Sequence, residues 1–359
     1  MTPDAVAVRL AVCALSRPLA ARGSGRSLGR GLPPAQAPEW VETGAWSRIL
    51  DYPHADLTIT VEPGVTLAAL AETVGEHGAW FPADPLPSTR TVGGLLGADR
   101  RTPLAGGFGS IRDAVLGVAA ITGKGERFRA GGRVVKNVAG YDLMRPLIGS
   151  LSAFAILTEV TLRLQPTPAT WDGCRFPRSD APAAFVPRVL RAGVVPAAIW
   201  DQRLGSEAVR SVLVAGSPAR VQGQIERLRS LGGEVLGPQT AGEHRDAALR
   251  FAGSSPALRV WGGARLDAVP ELFARLGAPL LVDLLSGLFW CDASEPPNID
   301  ALRGGLARRA HVHLATSRWE DARAAAWGSR PEETGLWRGM KHALDPDDNL
   351  VSGRFPGGI

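Results

Sequence analysis

The chain has 359 residues, 45% of them hydrophobic, enough for two or three domains, and no run of about 18 apolar residues that could cross a membrane as a helix. Its three cysteines, Cys13, Cys174 and Cys291, lie far apart, which excludes a disulfide framework and an iron–sulfur cluster held by this chain alone. The net charge is +5, but of 40 basic residues only Lys124, Lys136 and Lys341 are lysines, and the arginines are dispersed rather than interleaved with aromatics, so a nucleic-acid surface is not expected.

Residues 4 to 16 read as an amphipathic helix, because Ala5, Val8, Val12 and Leu15 recur at helical spacing. Asp4 and Arg9 interrupt its apolar stretch, so a signal peptide is not expected and a cytoplasmic location is. Pro18 to Arg22 is a short extended run ending in Gly23-Ser24-Gly25-Arg26-Ser27. Leu57 to Val61 alternates as a strand and stops at Pro63-Gly64. Thr66 is placed to cap a helix running to about His77, with Gly78 just past its end. Phe81 to Pro87 is too rich in proline for regular structure. Val115 to Thr122 is a β-rich apolar run, Gly123 to Glu126 a turn, and Ala139 to Leu147 a predicted helix. Over 154–164, Ile156, Thr158, Val160, Leu162 and Leu164 share one face of a strand.

Pro166 and Pro168 mark a domain boundary. Beyond it, predicted strands at 211–215, 258–262, 280–285, 288–291 and 311–315 alternate with helices at 218–231, 269–276 and 298–309. The pattern predicts an α+β sheet with helices on one face. The expected units are residues 1–166, a second α+β unit over 167–330, and a helix and tail over 331–359.

Five stretches could carry chemistry. In Arg22-Gly23-Ser24-Gly25-Arg26-Ser27, glycines let the backbone approach an anion so that N–H groups converge on it. Ser24 and Ser27 add hydroxyl donors and Arg26 adds charge. The spacing to Gly29 is Gly-x-Gly-x-x-x-Gly, which is not the dinucleotide fingerprint of a Rossmann fold. Thr91-Val92-Gly93-Gly94 opens a small-residue helix whose first N–H groups are expected to be free for an anion. Ser110-Ile111-Arg112-Asp113 precedes a strand and offers an Arg–Asp pair. Val135 to Leu143 contains Lys136, Asn137 and Tyr141. Gly149-Ser150 precedes the strand with Ile156.

Taken in order, these stretches resemble the vanillyl-alcohol-oxidase (PCMH-type) FAD-binding family, and within it the FAD-binding subunit of bacterial glycolate oxidase. The resemblance rests on Arg22-Gly23-x-Gly25, Phe81-Pro82-x-Asp84-Pro85 to Thr91-Val92-Gly93-Gly94, Ile111-Arg112-Asp113-x-Val115-Leu116-Gly117, and Gly131-Gly132-x-Val134-Val135-Lys136-Asn137-Val138-Ala139-Gly140-Tyr141-Asp142-Leu143. It covers about residues 15 to 166 and resumes near Phe355. It implies a two-subdomain FAD-binding fold followed by an α+β cap with an antiparallel sheet. It further implies that Gly23 to Ser27 holds the pyrophosphate of FAD, and that Pro85, Thr91, Gly93 and Gly94 line the cofactor. Ser110, Arg112 and Asp113 would shape the path beside the flavin, and the strand backbone near Ile156 would bond its polar edges. Attachment is expected to be non-covalent, because no His or Cys lies in Arg22 to Gly31. The sequence departs from the family where glycines are replaced by Ser152 and Ala155 and where the tail reads Ser352-Gly353-Arg354.

Oxidising a 2-hydroxy acid needs a base for its hydroxyl proton and cations for its carboxylate. His311-Val312-His313 places two histidines on one strand face, with no third metal ligand identifiable. No metal and no catalytic residue is therefore assigned. The resemblance implies a subunit that takes part in oxidising glycolate to glyoxylate. Its partners would be a second FAD-containing dehydrogenase subunit and an iron–sulfur subunit, with peripheral membrane association through them. A self-sufficient FAD-linked D-2-hydroxy-acid dehydrogenase and a flavin-free assembly subunit are the alternatives.

Overall fold

The computed structural model describes residues 1–11, 15–82, 88–132, 142–205, 207–254, 256–277, 279–295, 297–306, 309–316, 326–327, 334–356 and 358–359. The calls on Pro85, Lys136, Asn137 and Tyr141 lie outside these residues.

Helix α1 spans Pro3–Ala11, with Val6 and Leu10 buried on one face. Strands β1 (Leu19–Arg22) and β2 (Glu39–Glu42) pair in parallel. A five-stranded antiparallel sheet follows, in the order β3 (Ile49–Asp51), β4 (Thr58–Val61), β8 (Ala155–Arg163), β6 (Val115–Thr122) and β7 (Arg127–Gly131). Strand β8 is central because both its neighbours cover it, which is why its apolar alternation was so regular. Helix α2 (Leu67–Gly75) starts where Thr66 accepts a hydrogen bond from Ala69 N at 3.2 Å, the N-cap expected from the sequence. Its Leu67, Leu70 and Val74 join Ile59, Val61, Val160 and Leu162 in one core.

Ala139 to Leu147 is not the predicted helix in its described part. Residues 145–147 form a single 3₁₀ turn. Asp142 Oδ1 takes the N–H groups of Met144 and Arg145 at 3.2 and 3.3 Å. A short side chain that bonds its own downstream backbone competes with the helix ladder.

The short strands β5 (Ala79–Trp80) and β9 (Gln165–Pro166) pair with one another. An eight-stranded antiparallel sheet then runs β13 (Glu234–Val235), β10 (Thr170–Phe176), β12 (Val209–Gly216), β11 (Ala198–Arg203), β15 (Leu280–Asp283), β16 (Leu288–Asp292), β14 (Leu258–Ala264), β17 (Ala310–Thr316). One face packs against the helices 182–191, 218–230, 269–275 and 299–306. The other face is covered too, which corrects the one-face expectation. Helix 238–253 places Ala241, Ala248 and Leu249 there beside Trp171, Trp200 and Leu104.

That second face meets the first half of the molecule. Trp200 Nε1 donates to Pro103 O at 2.8 Å. A Cβ on Gly106 or Gly107 would sit 2.2 Å from Leu285 or from Ala197 O, so only glycine allows this approach. Arg90 and Arg100, before and after the Gly93-Gly94 helix, donate to the last carbonyls of helix 238–253, at Gly253 O (3.1 Å) and Ala252 O (2.8 Å). Cations at a helix C-terminus are favoured by its unpaired carbonyls.

The tail closes the fold. Leu350 bridges to Leu19 of β1 in parallel. Lys341, buried, reaches Ala153 O and Leu350 O at 3.1 Å and pairs with Asp345.

Candidate functional site

Strand β1 delivers the chain into the glycine loop at Gly23. The loop bends at Gly25, whose φ of +74° suits glycine. Gly23 lies so close to Thr91 that a Cβ there would be 2.1 Å from Thr91 Oγ1. Arg26 Nε donates to Thr89 Oγ1 at 3.1 Å. Two segments far apart in sequence are thus brought together, and Gly23, Ser24, Gly25, Arg26, Ser27, Gly93 and Gly94 all line one cleft.

The two segments contribute differently from expectation. Among the described residues the backbone N–H groups of Gly23, Ser24, Gly25 and Ser27 have no protein acceptor, and they form a concave anion-binding backbone of the expected kind. The first N–H groups of helix α3 (Val92–Gly97) are already used. Val92 N donates to Val65 O (2.9 Å), Gly93 N to Pro63 O (2.7 Å) and Gly94 N to the Thr91 cap (3.2 Å). The expectation of free helix N–H groups is therefore corrected. Gly93 serves close packing, since a Cβ there would be 2.6 Å from Pro63 Cβ.

Charge comes instead from arginines. Arg22, Arg26, Arg90 and Arg354 line the cleft, and no carboxylate appears among its described lining residues. Arg90 and Arg354 are only 3% and 5% exposed. Arg354 lies in the tail where the family resemblance resumes, whereas Arg90 carried no local sign of belonging to the site, because its burial depends on tertiary contacts. Arg354 Nη2 reaches Leu28 O (3.0 Å) and Arg30 O (2.8 Å), tying the tail to the glycine loop. Thr43, Ser150 and Ser152 add hydroxyls to the wall. Leu151 and Ser152 hold φ values of +54° and +67° in a turn where glycine would be relaxed, a strain of order 1–3 kcal/mol per residue that clusters at functional sites.

Ile156 itself is fully buried, packed with Val6, Leu10, Leu19 and Val41. Its neighbours Ala155 and Leu157 line the cleft. Strand β4 pairs with β8 only from Val160 to Arg163, so the edge of β8 near Ile156 has no β4 partner.

Ser110, Arg112 and Asp113 fall elsewhere. Ser110 and Asp113 form a capping box over Ile111–Ala114, and the Ser110 hydroxyl and N–H hold the Asp113 carboxyl below the usual carboxylate range. Arg112 does not pair with Asp113. It donates to Asp99 Oδ2 and to Ile148 O, both at 3.2 Å. Arg112 lines a second cleft, where the first half of the chain faces β14, β17 and the tail.

His311 and His313 of β17 line this second cleft with Trp261, Trp327, Trp337 and Phe355. The His313 ring lies tilted against Trp261 at 4.7 Å and meets Trp327 edge-on at 5.6 Å. Its Nδ1 is buried without a hydrogen-bond partner. Burial, reinforced by Arg30, Arg303, Arg101 and His311, pushes its pKa down to about 4, so at neutral pH it is an uncharged proton acceptor. No group of three or more potential metal ligands occurs among the described residues.

In the first cleft, the guanidinium groups of Arg26, Arg90 and Arg354, the unengaged loop N–H groups and several hydroxyls fit a diphosphate, while Arg22 is already paired with Glu42. Residues 2–131 match the FAD binding domain family. The matched stretch contains the glycine loop and the Thr91 segment.

The fold is that of p-cresol methylhydroxylase, whose substrate-bound crystal structure superposes with a TM-score of 0.72 at 16% identity, over 98% of this chain and 87% of that one. Among curated relatives, glycolate oxidase subunit GlcD of Bacillus subtilis is 31% identical over 200 residues, 55% of this chain and 43% of its own length. Subunit GlcE of Escherichia coli is 37% identical over 122 residues, 33% of this chain and 35% of its own. The mitochondrial D-lactate dehydrogenase [cytochrome] of Arabidopsis thaliana is 27% identical over 228 residues, 61% of this chain and 40% of its own. The chain thus spans well under half the length of these relatives. No described helix is long and apolar enough to cross a membrane.

Proposed function

We propose that this chain is the FAD-binding subunit of a glycolate oxidase-like assembly that oxidises a 2-hydroxy acid, with glycolate as the simplest member of that class. Residues 1–166 are the cofactor-holding unit in this reading, 167–330 the cap, and 331–359 the segment that returns to the cofactor unit. The observation that carries it is the cationic cleft, in which a glycine loop and the buried Arg90 and Arg354 face one space. The N–H groups of Gly23, Ser24, Gly25 and Ser27 would bind the diphosphate non-covalently, and Arg26, Arg90 and Arg354 would neutralise it, with Arg22, paired to Glu42, lining the same cleft. Thr91, Gly93 and Gly94 hold the opposite wall in place, and the exposed edge of β8 near Ile156 offers backbone groups to the cofactor. Bound flavin supplies two-electron redox chemistry. Arg112, with Ser110 and Asp113 fixing its turn, belongs to the neighbouring cleft.

The partners in this reading are a second FAD-containing dehydrogenase subunit and an iron–sulfur subunit, reached at the inner face of the cell membrane from the cytoplasm. Names of relatives that are glycolate oxidase subunits support it. The test is to purify the chain alone and with its neighbours in the cell. Stoichiometric, acid-releasable FAD and glycolate-driven bleaching that requires partner chains are expected. A colourless chain that takes up no FAD sinks the proposal.

One observation favours a second reading, a self-sufficient dehydrogenase. His313 is a neutral base candidate in a cationic cleft. Flavin bleaching by glycolate or D-lactate in the isolated chain, lost in His313→Gln, would establish it over the subunit reading.

A further inference from the structure

The second cleft has a composition that the first lacks. Its volume is about 540 Å³, within the range of ligand pockets, roughly 300–1,000 Å³. A two-carbon hydroxy acid fills the space of only a few waters, at about 30 Å³ each. One end is cationic. Arg101 and Arg112 both donate to the single oxygen Asp99 Oδ2, at 3.1 and 3.2 Å. Two guanidinium groups on one carboxylate leave that cluster with a net positive charge. Asp99 itself sits in the left-handed region at a φ of +43°, which aspartate tolerates. Asp142 and Arg145, also in the lining, pair with one another at 2.9 Å.

The other walls are aromatic and continuous. Trp327 and Phe355 lie 6.5 Å apart, and Phe355 and Trp337 5.3 Å apart, extending the Trp261–His313–Trp327 contacts into one surface. Arg30 covers the Trp261 ring at 3.9 Å, which fixes that ring. Apolar rings facing a cationic end suit a ligand with one anionic and one apolar end. Glycolate has no apolar end.

We propose that this cleft binds a small carboxylate bearing an aryl or bulky apolar substituent. The carboxylate sits at Arg101 and Arg112, and the substituent lies against Trp261, Trp327, Trp337 and Phe355. His313, set between Trp261 and Trp327 in the cleft lining, would accept a hydrogen bond from a ligand hydroxyl. As a statement about which 2-hydroxy acid is used, the inference rests on the proposed function above; as a statement about binding, it does not.

The test uses the full chain loaded with FAD, titrated with mandelate, glycolate and 1-phenyl-1,2-ethanediol. Binding is read by tryptophan fluorescence and by calorimetry. Mandelate is expected to bind at least tenfold tighter than glycolate, which lacks the ring, and at least tenfold tighter than the diol, which lacks the carboxylate. Arg112→Ala should weaken mandelate at least tenfold, and Arg101→Ala tests the same end if that variant does not fold. Trp337→Ala should narrow the preference for mandelate over glycolate. Equal affinity for mandelate and glycolate overturns the inference. So does mandelate binding that is indifferent to both the arginine and the tryptophan changes, or mandelate displaced from stripped protein when FAD is added. The two proposals fail separately: a chain that takes up no FAD but binds mandelate loses only the flavin reading, and a flavin-loaded chain that ignores mandelate loses only this one.

Discussion

The two clefts lie side by side, share Ala98 in their linings, and are made of different material. The first is backbone and guanidinium. Its loop lacks bulk so that main-chain N–H groups can approach a ligand, and its buried arginines, Arg90 and Arg354, are anchored on carbonyls of distant segments. The second is ring and charge, with tilted and edge-to-face aromatics on one side and an Asp–Arg cluster on the other. A backbone-built cradle recognises a group common to many molecules, such as a diphosphate. A wall of side chains recognises what differs between molecules. The contrast fits the proposed division, with the cofactor in the first cleft and ligand choice in the second.

The largest effect should come from breaking the cap while leaving the cofactor loop alone. Asp201 is fully buried and takes Arg210 Nε and Nη2 at 2.7 and 2.9 Å and Arg178 Nε at 3.2 Å. Asp201→Ala strands the Arg210 cation and should cost about 3–5 kcal/mol in denaturant titration. FAD content of the folded fraction should be unchanged; loss of FAD before unfolding would show that the two regions are one energetic unit.

Next in size is a pH effect in the second cleft. The folded-state pKa of His313, about 4, is below its ordinary 6.5. Its contribution is therefore complete above about pH 6.5 and lost as pH falls towards 4, by up to about 3 kcal/mol. Melts of the parent protein and His313→Phe at about pH 7.5 and about pH 4.5 should show a smaller acid loss in the variant. Equal losses would mean that His313 is not held neutral.

Gly25→Asp probes the first cleft. The position has φ +74° and its Cβ would find only Leu28 Cδ1, at 3.7 Å. Aspartate tolerates that conformation, so the fold should survive. The carboxylate should weaken FAD binding a hundredfold or more, about 2.7 kcal/mol, read by flavin retained after gel filtration. Unchanged retention would remove the loop from the site. The smallest effect is expected at Thr91→Ala, which loses the cap on Gly94 N and should cost about 1 kcal/mol of stability. Because α3 donates inward, FAD affinity should change less than tenfold; a larger loss would restore its N–H groups to the cofactor.

Much of the first half was legible because its signals are local. Thr66 caps its helix within one turn, β8 alternates, and the Gly23 loop is read from a few residues. What those signals omitted is tertiary. The acceptors that occupy the α3 N–H groups, Val65 O and Pro63 O, belong to a distant turn. Arg90 reads as an ordinary arginine until its burial is known. In the cap, β10 and β11 were missed because polar residues sit inside them. Asp201 belongs in a buried strand only because its cross-strand neighbour is Arg210, and neither segment alone contains that pair. Helix 238–253 was missed for a similar reason: its apolar face is mostly alanine, too weak a stripe to read.

The contact between Arg354 and the carbonyls of Leu28 and Arg30 joins nearly the first and last segments of the sequence. During synthesis the glycine loop leaves the ribosome more than 300 residues before the guanidinium that completes its wall. A nascent chain can fold its sheets in order, yet the cradle lacks one wall until Arg354 has been synthesised. Tight flavin capture would therefore follow, rather than guide, the folding of the first half.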